Sequence, residues 1–163
     1  DFKFMSLGSV SELKGYAALF EESGITSYVP FKGGGSEREP FHPLMLEYLE
    51  KIADLCSENH IELILISTPY TEGTAGRYNT ASEFAEERGL IYLDFGEAAL
   101  YSQLSYDFSS DNADYAHAGV SGAEKITGKI GEVLSSLEIL TPKSDVQWSS
   151  TSAYYKAIKE ENR

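Results

Sequence analysis

Between residues 43 and 95 the chain switches twice from a helical apolar period to a short aliphatic run, and this alternation leaves few folds open. Pro43 suits a first helical turn, and Met45, Leu49, Ile52 and Leu55/Cys56 recur at spacings of three and four up to Asn59. Ile61 to Ile66 follows almost at once, dense in β-branched and aliphatic side chains as a strand covered on both faces should be, and it stops at Ser67-Thr68-Pro69. A second helix is predicted over Tyr78 to Arg88, closed by Gly89, and Leu90 to Phe95 is the next strand. Strands separated by single short helices cannot pair as hairpins. They must lie parallel, with helical crossovers.

The flanks are read in the same way. A polar loop runs from Ser102 to Gly119, and Ser121 with Glu124 then forms a capping box at the start of a helix whose stripe is Ala123, Ile126, Ile130, Val133/Leu134 and Leu137. Residues 1–42 are the least periodic: a short apolar stretch at Phe2 to Leu7, a helix over Val10 to Glu22, and the breaker cluster Gly33-Gly34-Gly35 with Pro40. Residues 141–163 form a tail expected to dock through Trp148, Tyr154 and Tyr155. The division is therefore an N-terminal segment 1–42, an α/β core 43–140 and a charged aromatic tail 141–163.

Composition removes several classes of function. At 163 residues with 42% hydrophobic and 24% charged side chains, the chain has one domain's worth of core and a globular balance. A formal charge of −13 repels polyanions, so nucleic acid is not an expected partner. No apolar run reaches the roughly 20 residues that cross a bilayer. Cys56 is a lone cysteine within an apolar helical pattern, where it acts as a small hydrophobe. His42 and His60 flank the first helix in capping or surface positions, and Tyr48, Tyr92 and Tyr101 are expected as half-buried edges of the core.

In an open parallel sheet the ligand site lies beyond the carboxyl ends of the strands, which directs attention to the loops after Ile66 and Phe95. The second contains Asp111-Asn112-Ala113-Asp114-Tyr115-Ala116-His117. A serine hydrolase needs an imidazole to take the hydroxyl proton and a carboxylate to fix its tautomer, and Asp114 with His117 can supply both. Asp107, Asp111, Asp114 and His117 could instead gather around a divalent cation, but their spacing fits no loop of fixed ligand geometry. Neither a metal nor a cofactor is expected.

The run Asp114-Tyr-Ala-His117-Ala-Gly-Val-Ser-Gly-Ala-Glu-Lys resembles the final motif of the SGNH/GDSL hydrolases, and the element order from Pro43 to Leu137, with Tyr78-Asn79 leading into a helix and a strand ending in Asp94-Phe95, is similar to theirs. The resemblance implies a three-layer α/β/α fold of the SGNH, flavodoxin-like type with a short parallel sheet, incomplete at its N-terminus. It implies an esterase or O-acyl transferase with His117 as base and Asp114 orienting it, acting on a small-molecule or carbohydrate ester, with an extracytoplasmic location as the accompanying expectation. Two departures stand out. Leu7-Gly8-Ser9-Val10 puts Val10 where the family's nucleophile falls and Ser9 one place early, and no Gly-x-Asn-Asp oxyanion motif is visible, Ser67-Thr68-Pro69-Tyr70 standing at the corresponding strand end. The chain also starts at Asp1 without a Met, so the expected nucleophile is a serine upstream, with Ser9 the candidate inside the chain. The alternative is a catalytically silent SGNH-like binding or structural domain. A sheet lacking its first strand leaves an edge on which a second copy could pair, so a homo-oligomer is a further expectation.

Overall fold

A computed structural model of the protein describes residue 13, residues 16–137 and residues 146–162. Ser9 and the Phe2–Leu7 stretch lie outside the described residues. Six helices and two strands follow in the order α1 (Pro43–Glu58), β1 (Ile64–Ser67), α2 (Ala75–Glu87), β2 (Ile91–Asp94), α3 (Ala98–Gln103), α4 (Phe108–Asp111), α5 (Val120–Ser136) and α6 (Val146–Glu161). β1 and β2 pair in parallel, Ile64 beside Ile91 through Ser67 beside Asp94. The described residues thus form a mixed helix and strand fold on a two-stranded parallel sheet. None of the described helices is long and apolar enough to cross a membrane.

α1 and the crossover helix α2 end in the same way. Gly89, at φ +65°, follows α2 in the left-handed region, with its N–H on the Glu86 carbonyl and the Leu90 N–H reaching back to Ala85 at 2.8 Å. His60, at φ +56°, repeats the motif after α1: its N–H bonds Ser57, and the Ile61 N–H bonds Cys56 at 2.8 Å. The second closure explains a shift of boundary, because residues 59–63 are used in leaving the helix and the strand predicted from Ile61 begins at Ile64. α2 starts three residues earlier than predicted, at Ala75, because Thr74 caps it by accepting the Arg77 N–H.

Four further expectations need correction. β1 is not covered on both faces: Ile66 is 46% exposed. Tyr48 is exposed on α1, whereas Tyr92 and Tyr101 are half-buried as expected. The polar stretch from Ser102 contains the end of α3 and the short helix α4. Residues 16–22 of the expected 10–22 helix are irregular, because this segment spends its backbone groups on distant partners. The Leu19 carbonyl accepts the Val120 N–H at 2.8 Å, the Ser23 N–H donates to Asn112 at 2.7 Å, and the Gly24 N–H donates to Ser109 at 2.9 Å. Further along, the Phe31 carbonyl accepts the Ala98 N–H, and the Gly34 N–H bonds the Asn79 side chain. Residues 16–42 therefore form a strap fastened across α2, α3, α4 and the start of α5.

The core centres on Phe95, which is fully buried just beyond β2, with Tyr106 and Ile126 against it and Leu93, Leu100 and Ile130 around them. On the strap side, Tyr28 stacks on Phe108 at a centroid distance of 4.1 Å. α6 docks on α5 through Lys159 and Tyr155, both bonded to Glu124, and Tyr155 meets the ring of Tyr16 edge-on at 6.2 Å.

His60 is a side-chain-bearing residue in the left-handed well, which costs an L-residue about 1–2 kcal/mol, so His60→Gly should raise stability by about 0.5–1 kcal/mol after the greater flexibility of unfolded glycine is counted. Urea unfolding of the two proteins, compared by midpoint at equal slope, checks it.

Candidate active site

The loop carrying Asp114 and His117 is shaped by its two stems. Asn112 and Ala118 form an isolated antiparallel bridge, and the Ala113 N–H donates to the His117 carbonyl at 2.8 Å, so residues 112–118 close on themselves. Asn112 is fully buried. Its amide donates to the carbonyls of Pro69 at 3.2 Å and Asp114 at 3.3 Å, and its oxygen accepts the Tyr106 hydroxyl at 2.6 Å. The Thr71 N–H donates to the Tyr115 carbonyl at 3.0 Å. The loop after β1 and the loop carrying the Asp–His motif are thereby bound together at the carboxyl end of the sheet, where the strand order leads one to expect a site.

Within this frame Asp114 and His117 meet. One carboxylate oxygen accepts the backbone N–H groups of Ala116 and His117, each at 2.8 Å, and the imidazole Nδ1 lies 3.0 and 2.9 Å from the two oxygens. A carboxylate can only accept, so Nδ1 carries a proton, and in the neutral imidazole Nε2 is then the lone pair. Among the described residues the imidazole bonds Asp114 alone, and its side chain is 65% exposed. The Ala116 N–H first, then the His117 side chain and N–H, hold the Asp114 carboxyl down to about 2.

The residues that position this loop were not singled out for that role by sequence reasoning. Asp111, 1% exposed, accepts the Asp107 N–H at 2.7 Å, the Ser121 hydroxyl at 2.5 Å and the Lys125 ammonium at 2.6 Å. Its carbonyl accepts the Gly119 N–H at 2.8 Å. The predicted capping box is therefore absent. α5 starts from Gly119 with no side-chain cap, Ser121 is engaged by Asp111, and Glu124 is drawn to Lys159 and Tyr155. The available signal was the spacing of four between Ser121 and Lys125, which puts a hydroxyl and an ammonium on one face of a helix. Gly122 belongs to the same contact: a Cβ there would stand 2.3 Å from the Asp111 carbonyl oxygen. Asp107 caps α4 instead of joining a metal cluster, and no group of three metal-ligating side chains occurs among the described residues.

A cavity of about 430 Å³ opens at the ends of β1 and β2, lined by Ser67, Tyr70, Arg77, Tyr92 and Asp94 among others; neither Asp114 nor His117 lines it. Burial pushes the Asp94 carboxyl above its ordinary value, despite hydrogen bonds from Tyr92, Gly96 and Ser67. Arg77 is held by Glu39 and the Tyr70 hydroxyl. Comparison of the chain with protein-family models, with characterised proteins and with solved structures finds no match.

Two outcomes are expected. Lys125→Met leaves the Asp111 carboxylate without its counter-charge, and because the ammonium is itself 34% exposed the loss should be about 3 kcal/mol, the low end for breaking a buried pair, read from urea unfolding. For Asp114 the folded value is depressed, so its contribution is complete above the ordinary carboxylate range near 4 and fades as pH falls through about 2. A carbon-13 NMR titration of the Asp114 carboxyl should place its midpoint near 2, and a midpoint near 4 would mean that the turn is not formed in solution.

Proposed function

We propose that Asp114 and His117 form the base pair of an SGNH/GDSL-like serine hydrolase, an esterase or O-acyl transferase acting on a small-molecule or carbohydrate ester. The observation that carries this reading is the Nδ1–carboxylate contact at 2.9 Å, which leaves Nε2 bare on a loop tied to the end of β1 by Asn112. In the proposed reaction Nε2 takes the proton of a serine hydroxyl as its oxygen attacks the ester carbonyl. The imidazolium then returns that proton to the departing alcohol, and Asp114 offsets the charge on the ring meanwhile. Water, or an acceptor alcohol in a transferase, repeats the sequence to release the acyl group. The serine comes from outside the described residues, upstream of the chain or at Ser9.

A second reading is a catalytically silent domain of the same fold. Its support is that, among the described residues, no serine hydroxyl is bonded to His117.

Hydrolysis of p-nitrophenyl acetate by this chain and by a longer polypeptide containing it, each beside His117→Ala and Asp114→Asn, separates the readings. We expect each substitution to lower kcat/KM by about three to four orders of magnitude. Activity confined to the longer polypeptide places the serine upstream, and activity of this chain lost with Ser9→Ala places it at Ser9. Hydrolysis indifferent to His117, or none from either polypeptide on a panel of acylated sugars, favours the silent domain.

A further inference from the structure

We propose that α1 is a self-association surface, on which a second copy of this chain packs as an antiparallel helix pair about a two-fold axis. The helix has 16 residues and buries one of them, Ala53. Its inner side is held by the edge-on contact of Phe41, just before the helix, with Phe84 of α2, and by Arg88 bridging to Asp54 and Glu50. Its outer side is also apolar. Met45, Tyr48, Ile52 and Leu55 are 51, 57, 48 and 59% exposed, and they follow one another at intervals of three, four and three. That is the spacing of a coiled-coil seam, which keeps its apolar stripe turned toward a partner helix.

The order of the side chains points to a second copy as that partner. About an axis at the level of Glu50, an antiparallel copy sets Met45 opposite Leu55 and Tyr48 opposite Ile52, so each half of the stripe meets the other half. A two-fold contact requires this self-complementarity. No charged residue falls on the stripe. Lys51 flanks it beside the axis, but it holds Glu47 at 2.6 Å and lies over the Tyr48 ring, bringing its own counter-charge into the pair.

The extent suits a reversible pair. The exposed parts of these four side chains with Leu44 amount to on the order of 500 Å² per copy, so full coverage in a pair would bury about 1,000 Å², below the roughly 1,200 Å² of stable interfaces and within the range of weak, reversible ones. At a formal charge of −13 per copy, long-range repulsion opposes the contact, so added salt should strengthen it; a pairing held by ion bridges would weaken instead.

Sedimentation velocity of the 163-residue chain over a range of concentrations tests this. We expect a reversible dimer that tightens with sodium chloride, and Ile52→Asp or Leu55→Asp to raise its dissociation constant at least about tenfold, with unchanged circular dichroism. Val29→Asp, at a residue 79% exposed outside the stripe, should leave the dimer intact. In a Cys56→Ser background, oxidation of the double variant Tyr48→Cys/Ile52→Cys should give a covalent dimer joined between positions 48 and 52. A monomer at every concentration, or a dimer that both aspartate variants preserve, overturns the surface. A covalent dimer joined only between two copies of position 48 overturns the antiparallel arrangement.

Discussion

The buried carboxylate of Asp111 is the constraint on which the described structure turns. A carboxylate removed from water is tolerated only when its lone pairs are met, and here a backbone N–H, a hydroxyl and an ammonium meet them from three places in the chain. Asp107 opens α4, while Ser121 and Lys125 lie one turn apart on α5, so satisfying this single side chain fixes the angle between the two helices. The seven-residue loop between Asp111 and Gly119 then has its ends held, with the Asp111 carbonyl closing onto the Gly119 N–H. Gly122 lets α5 come close enough for this to happen, since any side chain there would meet the backbone of residue 111.

Buried polar contacts of this kind also explain how a two-stranded sheet can support a defined loop. Four residue pairs of ladder are little on their own. Most of the ordering comes from Asn112, whose amide ties the loop to Tyr106 and Pro69, and from the strap, which lays backbone carbonyls and N–H groups against α2, α3, α4 and α5. The Asn112 bonds to Tyr106 and Pro69 lie away from bulk water, where an unpaired group would cost more than the net value of the bond it makes.

The parts of this arrangement that were legible in the sequence are those with a local cause. α1, α2 and both strands follow from apolar periodicity, and Gly89 marks the end of α2 because glycine enters the left-handed region freely. The same closure at His60 carried no such mark, and the strand boundary moved with it. The Asp114–His117 pair is three residues apart on one loop and was readable from spacing. Its supports were not, because Asp111 and Lys125, or Pro69 and Asn112, become neighbours only after helices and strands have packed. The capping box failed for a related reason: Ser121 fits the local pattern, but a buried carboxylate competes for its hydroxyl more strongly than a backbone N–H does. The irregular strap has no period at all, and its order derives from partners as far away as Val120 is from Leu19, 101 residues along the chain.

That distance has a kinetic meaning. Chains are made from the N-terminus, and the bonds of Ser23 to residues 108 and 112 and of Leu19 to Val120 cannot form until α4 and the first turn of α5 have been synthesised. Closing such long spans is entropically costly and slow beside the local pairing of α2, β2 and α3. The strap can therefore settle only after α4 and the start of α5 are in place. A nascent chain has Leu19 to Phe31 in hand long before it has anywhere to put them, and the loop bearing Asp114 and His117 gains its remaining supports only when that early segment returns to it.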